Sequence, residues 1–166
     1  MVHIDEVMRQ LRALNLQFRV FGNAEVRELA LVLNEQEHIQ HCIYGYYQGG
    51  SALLVATSNR LLLIDKRPFF LNLEDVRYEM ITDVRFAGRL LDATVFLQTS
   101  GKSLLFRSFA DKRLRVLCGY IQDQITRARQ LEHMLEDTRP AGVEWRPYSL
   151  VNQRRRISKF AQPIRP

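Results

Sequence analysis

Apolar residues at the start of the chain recur with the period of an α-helix. Between positions 4 and 18 they lie three or four residues apart, at Ile4, Val7, Met8, Leu11, Leu14 and Phe18. Gly22 interrupts this pattern, and Asn23 is a residue type that often caps a helix N-terminus. A second, shorter apolar stripe follows, at Val26, Leu29, Ala30 and Leu33. The pattern predicts two short helices.

From about Glu37 the pattern changes to short runs that are rich in β-branched and aromatic residues. "HIQHCIYGYY" (38–47) ends at a glycine pair and predicts a strand and a turn. "ALLVAT" (52–57) and "RLLLID" (60–65) are separated by Ser58-Asn59, where asparagine tolerates the left-handed backbone of a tight hairpin. Lys66-Arg67-Pro68 is then predicted to be the next loop.

Three more segments show strand signals before the pattern becomes helical again. "DVRYEMITDVRFA" (75–87) alternates, while "TVFLQT" (94–99) and "SLLFRSF" (103–109) flank a turn at Ser100-Gly101. We therefore expect about six or seven antiparallel strands. A helix near 110–136 is predicted from one long apolar stripe, at Leu114, Leu117, Ile121, Ile125, Ala128, Leu131 and Leu135. Hairpins followed by a helix favour a small barrel or two packed sheets whose open end the helix covers.

Length and composition are typical of one globular domain with extensions. The chain has 166 residues, of which 46% are hydrophobic and 25% charged, and no apolar run approaches the length of a membrane span. The first residues lack the pattern of a secretory signal. Cys42 and Cys118 have apolar neighbours, which indicates buried free thiols in a reducing compartment. A cytoplasmic location, free or peripheral to a membrane, is expected.

The positive charge of the chain is concentrated at its C-terminal end. Seven of the 24 basic residues and one of the 18 acidic residues follow Asp137, so that residues 1–137 hold 17 of each and are formally neutral. We therefore divide the chain into an N-terminal helical extension (1–34), a sheet domain with its covering helix (35–137) and a basic, flexible tail (138–166).

No motif in the sequence predicts catalysis, a cofactor or a metal. His38 and His41 are three residues apart, but on a strand this spacing places them on opposite faces, and no cysteine or carboxylate cluster lies nearby. Gly50-Ser51-Ala52 does not form a nucleophile elbow, and no phosphate-binding glycine motif is present. The sequence predicts a non-enzymatic protein without a cofactor.

Two stretches carry a resemblance to a known family. "RELALVLNEQE" (27–37) leads into the first strand, and "LLVATSNRLLLIDK" (53–66) combines an apolar strand ending in Thr, a turn with Arg and an apolar strand ending in Asp-Lys. With the strand-like "YEMITDV" (78–84) and the helix that follows, the chain resembles the bacterial pleckstrin-homology-like (PH-like) domains, especially the YokE-like group.

The resemblance implies a mainly β fold with helices: a strongly bent antiparallel barrel of about seven strands, capped by a C-terminal helix and preceded here by one or two short helices. It does not imply a ligand. We expect a non-catalytic interaction module that binds a protein partner or an anionic membrane surface. Eukaryotic relatives that bind phosphoinositides generally use basic residues around the loop between the first two strands. The corresponding Gln48-Gly49-Gly50-Ser51 contains no basic residue.

Two basic segments are the candidate sites for a polyanion or a partner. Lys66 and Arg67 offer donors for a phosphate, although a solvated loop before Pro68 is the favoured explanation. The tail offers Arg154, Arg155, Arg156 and Lys159, with aromatic residues nearby that suit stacking on single-stranded nucleic acid. The same composition suits an anionic membrane, a specific protein groove, or a flexible, solubilising end whose apolar residues fold back on the domain. If the tail binds nucleic acid, the alternative function is that of a nucleic-acid-associated accessory protein. The oligomeric state, including a homo-oligomer, stays open.

Overall fold

Residues 2–16 and 23–137, which the computed structural model describes, form three α-helices, seven β-strands and a short 3-10 helix. Their order along the chain is α1 (Ile4–Ala13), α2 (Asn23–Val32), β1 (Ile39–Tyr47), β2 (Gly50–Thr57), β3 (Arg60–Arg67), β4 (Phe70–Arg77), the 3-10 helix (Tyr78–Met80), β5 (Ile81–Gly88), β6 (Ala93–Thr99), β7 (Ser103–Ser108) and α3 (Asp111–Asp137). No helix in these two ranges is both long enough and apolar enough to span a membrane.

The seven strands form one antiparallel, curled sheet in the order β4-β3-β2-β1-β7-β6-β5. The sheet does not close, because β4 and β5 are its two edges. Strand β1 meets β7 only at Tyr46 and Tyr47. Gly45 permits this approach, since a Cβ atom there would lie 2.3 Å from the carbonyl oxygen of Arg107. The predicted fold is confirmed, but as an open, curled sheet rather than a closed barrel.

Helix α3 covers one face of the sheet and completes the core on that side, which we call the inner core. Four residues of its predicted stripe are buried there: Leu114, Leu117, Ile121 and Ile125. The last part of the stripe was predicted wrongly, because Leu131 and Leu135 are exposed. The apolar period therefore continues along the helix beyond the residues that the sheet buries.

The opposite face of β1, β2 and β3 is covered by α1 and α2, and we call this the outer core. Leu53, Val55, Leu62 and Ile64 of the sheet are buried on this side. Their neighbours in sequence, such as Leu54 and Leu63, face the inner core. Both faces of β2 and β3 are thus buried, which explains why these strands are continuously apolar rather than alternating. The N-terminal helices share a core with the sheet.

An ion pair at the β2–β3 turn connects the helices to the sheet. Glu37, between α2 and β1, is fully buried, and Arg60 is the first residue of β3. Arg60 donates from Nε and Nη2 to the two carboxylate oxygens of Glu37, at 2.9 and 2.8 Å. It also donates from Nη2 to the carbonyl of Val32 at 3.0 Å and pairs with Asp75 of β4. One guanidinium therefore joins α2, the α2–β1 connection and two strands.

Thr57, the last residue of β2, extends this network toward α3. Its hydroxyl donates to Glu37 Oε1 at 2.6 Å. Its carbonyl accepts hydrogen bonds from the hydroxyls of Tyr78 and Tyr120, at 2.7 and 3.1 Å. Tyr78 lies in the 3-10 helix and Tyr120 in α3, so the last residue of β2, next to the predicted hairpin turn, also anchors the covering helix.

Two sequence-based boundaries need correction. The segment 75–87 is not one strand, because β4 ends at Arg77, the 3-10 helix intervenes and β5 begins at Ile81. Lys66 and Arg67 are not in a loop, since both belong to β3 and pair with Leu71 and Phe70 of β4. The strand β4 lies at the sheet edge and is largely exposed at its start, so its pattern lacks the clear alternation that predicts a strand.

The packing of the outer core predicts a large loss of stability for one leucine of α2 and a small one for another. Leu29 is fully buried, whereas Leu31 is 54% exposed. We expect Leu29→Ala to lower the free energy of unfolding by about 2–5 kcal/mol, because it leaves a cavity against the sheet. Leu31→Ala should change it by about 0.5 kcal/mol or less. Urea denaturation measures both. Equal effects would contradict the packing of α2 on the sheet.

The ion pair predicts a pH dependence. Burial alone would raise the pKa of Glu37, but hydrogen bonds from Arg60, Thr57 and the Asn34 N–H outweigh burial and lower it below its ordinary 4.5. Because the pKa of Glu37 is lower in the folded state, its ionised carboxylate stabilises the fold. This stabilisation is complete above pH 4.5 and is lost as the pH falls through the folded-state pKa. Urea denaturation should therefore show the difference between wild type and Glu37→Gln shrinking in acid.

Glu25 on α2 provides a control of opposite sign. Burial raises the pKa of its carboxyl, and the Asp65 carboxylate adds to that effect. The raised pKa makes the charged form unfavourable in the folded protein, so Glu25→Gln should gain stability relative to wild type as the pH rises above 4.5. If both variants followed the same pH profile, the assigned pKa directions would be wrong.

Candidate functional site

The basic pair predicted as a phosphate site lies at the end of β3, and an acid partner contacts each of its side chains. Lys66 Nζ is 3.0 Å from a carboxylate oxygen of Glu28 on α2. Arg67 binds Asp65 through two parallel hydrogen bonds, from Nε at 3.0 Å and from Nη2 at 2.7 Å. Polyanion binding by this pair stays a prediction.

The Asp65 carboxylate needs Arg67 as its partner. Asp65 is almost fully buried, whereas the Arg67 side chain is partly exposed. Removing one member of a buried, hydrogen-bonded pair leaves an uncompensated charge, which is strongly destabilising. A phosphate at Arg67 would therefore have to share the guanidinium with Asp65. Both cations at this end of β3 lie beside carboxylates that offset their charge.

Arg67 also connects this end of β3 with the neighbouring β1–β2 turn. Its Nη2 donates to the carbonyl of Gln48 at 3.3 Å. Gln48 and Gly49 both have positive φ, of 46° and 76°, which is the backbone of the tight hairpin turns that favour glycine. The β1–β2 turn and the β3–β4 turn therefore lie side by side at one end of the strands, away from the Arg60 network at the other end of β3.

The β3–β4 turn carries the most exposed run of apolar side chains at this end of the sheet, and we call residues 68–71 the β3–β4 tip. Phe69 is fully exposed, and Phe70 and Leu71 are about half exposed. Three consecutive apolar residues exposed to water are unfavourable, so such a run indicates a functional surface. Phe70 pairs with Arg67 in the strand ladder, and the Arg67 guanidinium lies 5.7 Å from the centre of its ring.

Hydrogen bonds and a proline hold the backbone at the base of the tip. The hydrogen bonds of Arg67 to Asp65 and Gln48 fix the last residue of β3. Pro68 restricts the backbone where the turn begins. Sequence analysis missed this site, because it considered the charges of Lys66 and Arg67 and not the apolar run that follows. The available signal was "PFFL", three large apolar residues after a proline in a predicted loop.

Other exposed apolar residues lie away from the tip. Leu90 and Leu91 occupy the β5–β6 turn, where Leu90 is 98% exposed. Tyr46 and Phe109 contact each other edge to face near the β1–β7 junction, with ring centres 5.9 Å apart. The β5–β6 turn has two aliphatic residues and lacks aromatic ones, whereas aromatic side chains are enriched at protein interfaces.

His41, Cys42 and Cys118 are all at least partly buried in the fold. His41 is half-buried against the ring of Tyr120, and burial lowers its pKa, which keeps the imidazole neutral at pH 7. Cys42 is buried in the outer core and Cys118 in the inner core, on opposite faces of the sheet, as free thiols. Within residues 2–16 and 23–137, no three metal-binding side chains come together. Arg154, Arg155, Arg156 and Lys159 lie outside the described residues.

Comparison with solved structures finds proteins similar to this chain. A crystallised pleckstrin homology domain from Shewanella amazonensis SB2B is 24% identical, with a TM-score of 0.45, and the match covers 63% of this chain and 97% of that one. A DUF1696 family protein with a pleckstrin-homology domain from Shewanella loihica PV-4 is 22% identical, with a TM-score of 0.44, over 64% and 99% of the two chains. No curated protein matches this chain in sequence.

The sequence model of a family described as "Bacterial PH domain" matches residues 33–123. This match begins directly after α2 and includes every strand and the first half of α3. It covers more than half of the 166 residues and agrees with the curled seven-stranded sheet and its covering helix. The chain belongs to the bacterial PH domain family.

Proposed function

We propose that this chain is a non-catalytic interaction module that binds a protein partner by inserting its β3–β4 tip into an apolar groove on that partner. The observation that carries the proposal is the exposed run of Phe69, Phe70 and Leu71 on a hairpin whose base is fixed by ion pairing. Membership of the PH domain family supports it, because such domains generally mediate protein or lipid interactions.

The apolar tip offers enough energy for specific binding. Complete burial of a side chain such as Phe or Leu contributes about 1.5–3 kcal/mol. Phe69 is fully exposed and can gain this amount, whereas Phe70 and Leu71 are already about half buried and can gain only about half of it each. The sum is comparable to a hot-spot contact, and part of it offsets the entropy lost on association. Because the hairpin base is already ordered, less conformational entropy is lost on binding than for a mobile loop.

The charges around the tip favour a protein over an anionic membrane. A free basic residue near an anionic surface contributes about 1 kcal/mol. At the tip, Lys66 lies against Glu28 and Arg67 against Asp65, which reduces that attraction. Residues 1–137 are also formally neutral as a whole. A cytoplasmic location belongs to the same proposal, since the two buried free thiols suit a reducing compartment.

Removing the aromatic rings of the tip tests the proposal. We expect Phe69→Ser with Phe70→Ser to weaken partner capture by about 30-fold, as for the loss of an interface hot spot. The matched control is Leu90→Ser with Leu91→Ser, which removes two exposed apolar side chains from another turn. The measurement is quantitative capture from native lysate by immobilised full-length protein, after thermal unfolding has confirmed that both variants fold.

The outcomes separate the proposal from its alternatives. Capture that is lost in the tip variant and kept in the Leu90 control supports a specific groove. Equal loss in both variants would show non-specific adhesion and contradict the proposal. A parallel arm uses vesicles with and without anionic lipid. Vesicle binding that requires Phe69 and Phe70, without a captured protein, would replace the protein partner by a membrane surface.

A second candidate function rests on the concentration of positive charge after Asp137. In this alternative the chain is a nucleic-acid-associated accessory protein. Arg154, Arg155, Arg156 and Lys159 lie within six consecutive positions, a density that suits contact with successive phosphates. The Lys66–Arg67 pair is the other polyanion candidate, and the same experiment tests it.

Salt dependence distinguishes these basic segments. Each single-strand phosphate contact contributes about −0.7 to the slope of log K against log salt, so four contacts predict a slope of about −3. Replacing Arg154, Arg155 and Arg156 with alanine should reduce the slope to about −1, while Lys66→Gln should leave it unchanged. Binding of a labelled single-stranded oligonucleotide, titrated at several salt concentrations, measures both slopes. An unchanged slope in the triple variant would exclude the tail as the binding segment.

A further inference from the structure

A cavity of about 220 Å³ lies between the end of α1, the middle of β1 and the first two turns of α3. Its apolar lining comes from Leu14, Cys42, Ile43 and Val116. An apolar cavity of about 150 Å³ accommodates benzene, so this space holds an aromatic ring or a branched aliphatic group with a short substituent. The cavity is separate from the β3–β4 tip, because none of residues 66–71 lines it.

The polar residues of the lining are basic or neutral. Lys112 and Arg113, in the first turn of α3, lie at this cavity, and none of the described residues that line it is acidic. Within the described part of the chain, Lys112 makes no ion pair, and Arg113 donates one hydrogen bond, from Nη2 to the carbonyl of Asn15 at 3.1 Å. Arg113 therefore keeps donors that a ligand can use.

The cation of Arg113 lies close to the apolar part of the lining. Burial raises the pKa of the Cys42 thiol, and the positive charge of Arg113 acts on this thiol in the opposite direction. His41, the remaining lining residue, is neutral at pH 7 because burial lowers its pKa. The cavity thus combines an uncharged interior with positive charge on its α3 side.

We propose that this cavity binds a small monocarboxylate whose body is a compact apolar group. The apolar body would contact Leu14, Ile43 and Val116, while the carboxylate would face Arg113 and Lys112. A guanidinium and a carboxylate form short, charge-assisted hydrogen bonds. A phosphate suits this cavity less well, because its additional oxygens would face apolar side chains without hydrogen-bond partners.

Two neighbouring arginines on α3 provide a matched test. Arg113 lines the cavity, whereas the Arg115 guanidinium lies over the ring of Phe86, 5.0 Å from its centre. Arg113→Gln and Arg115→Gln each remove one positive charge from an exposed position on the same helix. The probes are phenylacetate and its neutral amide, phenylacetamide. Titrations of the full chain, followed by NMR of backbone amides, report both affinity and location.

We expect phenylacetate to perturb the amides of the cavity lining and to bind about tenfold more tightly than phenylacetamide. Arg113→Gln should remove most of this preference for the acid without changing the affinity for the amide, which shows that the cavity is intact. Arg115→Gln should behave like wild type. Val116→Phe, which fills the cavity from its exposed edge, should weaken both probes.

Three results would overturn the proposal: no saturable perturbation of the cavity lining, equal affinity for the acid and the amide, or equal effects of Arg113→Gln and Arg115→Gln. A further arm distinguishes two sources of the same chemistry. A tripeptide that ends in phenylalanine with a free carboxylate represents a chain terminus, and phenylacetate represents a free acid. Preference for either one supports the proposal and identifies the source. Failure here leaves the function of the β3–β4 tip untouched.

Discussion

The ion pair between Arg60 and Glu37 is the interaction on which the rest of the structure depends. Glu37 is fully buried, and a buried carboxylate keeps its charge at low cost only when it is paired and hydrogen-bonded. Arg60 meets this need and also reaches the end of α2 and the edge strand β4. Through Thr57 the same network reaches α3. Removing one partner of such a pair costs about 3–5 kcal/mol, enough to loosen the helices from both faces of the sheet.

With that end of the sheet fixed, the opposite end presents the β3–β4 tip. Both ends contain a basic residue of β3 paired with a buried carboxylate: Arg60 with Glu37, and Arg67 with Asp65. At the tip, however, the next three residues of the chain are apolar and exposed. The basic pair there contributes structure, and the apolar side chains are what a partner would contact. Electrostatic attraction is therefore a weaker basis for function at this edge than apolar burial.

Much of the fold could be predicted from the sequence, because local patterns specify the hairpins at Ser58-Asn59 and Ser100-Gly101 and the stripe of α3 that starts at Leu114. Strand β4 could not be predicted in full, since an exposed edge strand has no regular apolar alternation. The exposure of Leu131 and Leu135 depends on where the sheet ends, which periodicity does not encode. The pairing of Arg67 with Asp65 could not be predicted either, because ion pairing depends on the folded chain.

The most direct test of the central claim, that the β3–β4 tip is the contact surface, is fluorine NMR in native lysate. The full chain carries one fluorinated phenylalanine, in place of Phe69 or, as the control, of the equally exposed Leu90. The account predicts that the signal at position 69 broadens and shifts in lysate, and that excess unlabelled protein restores it, while the signal at position 90 stays sharp. Signals that remain sharp at both positions, or that change alike at both, would contradict the account.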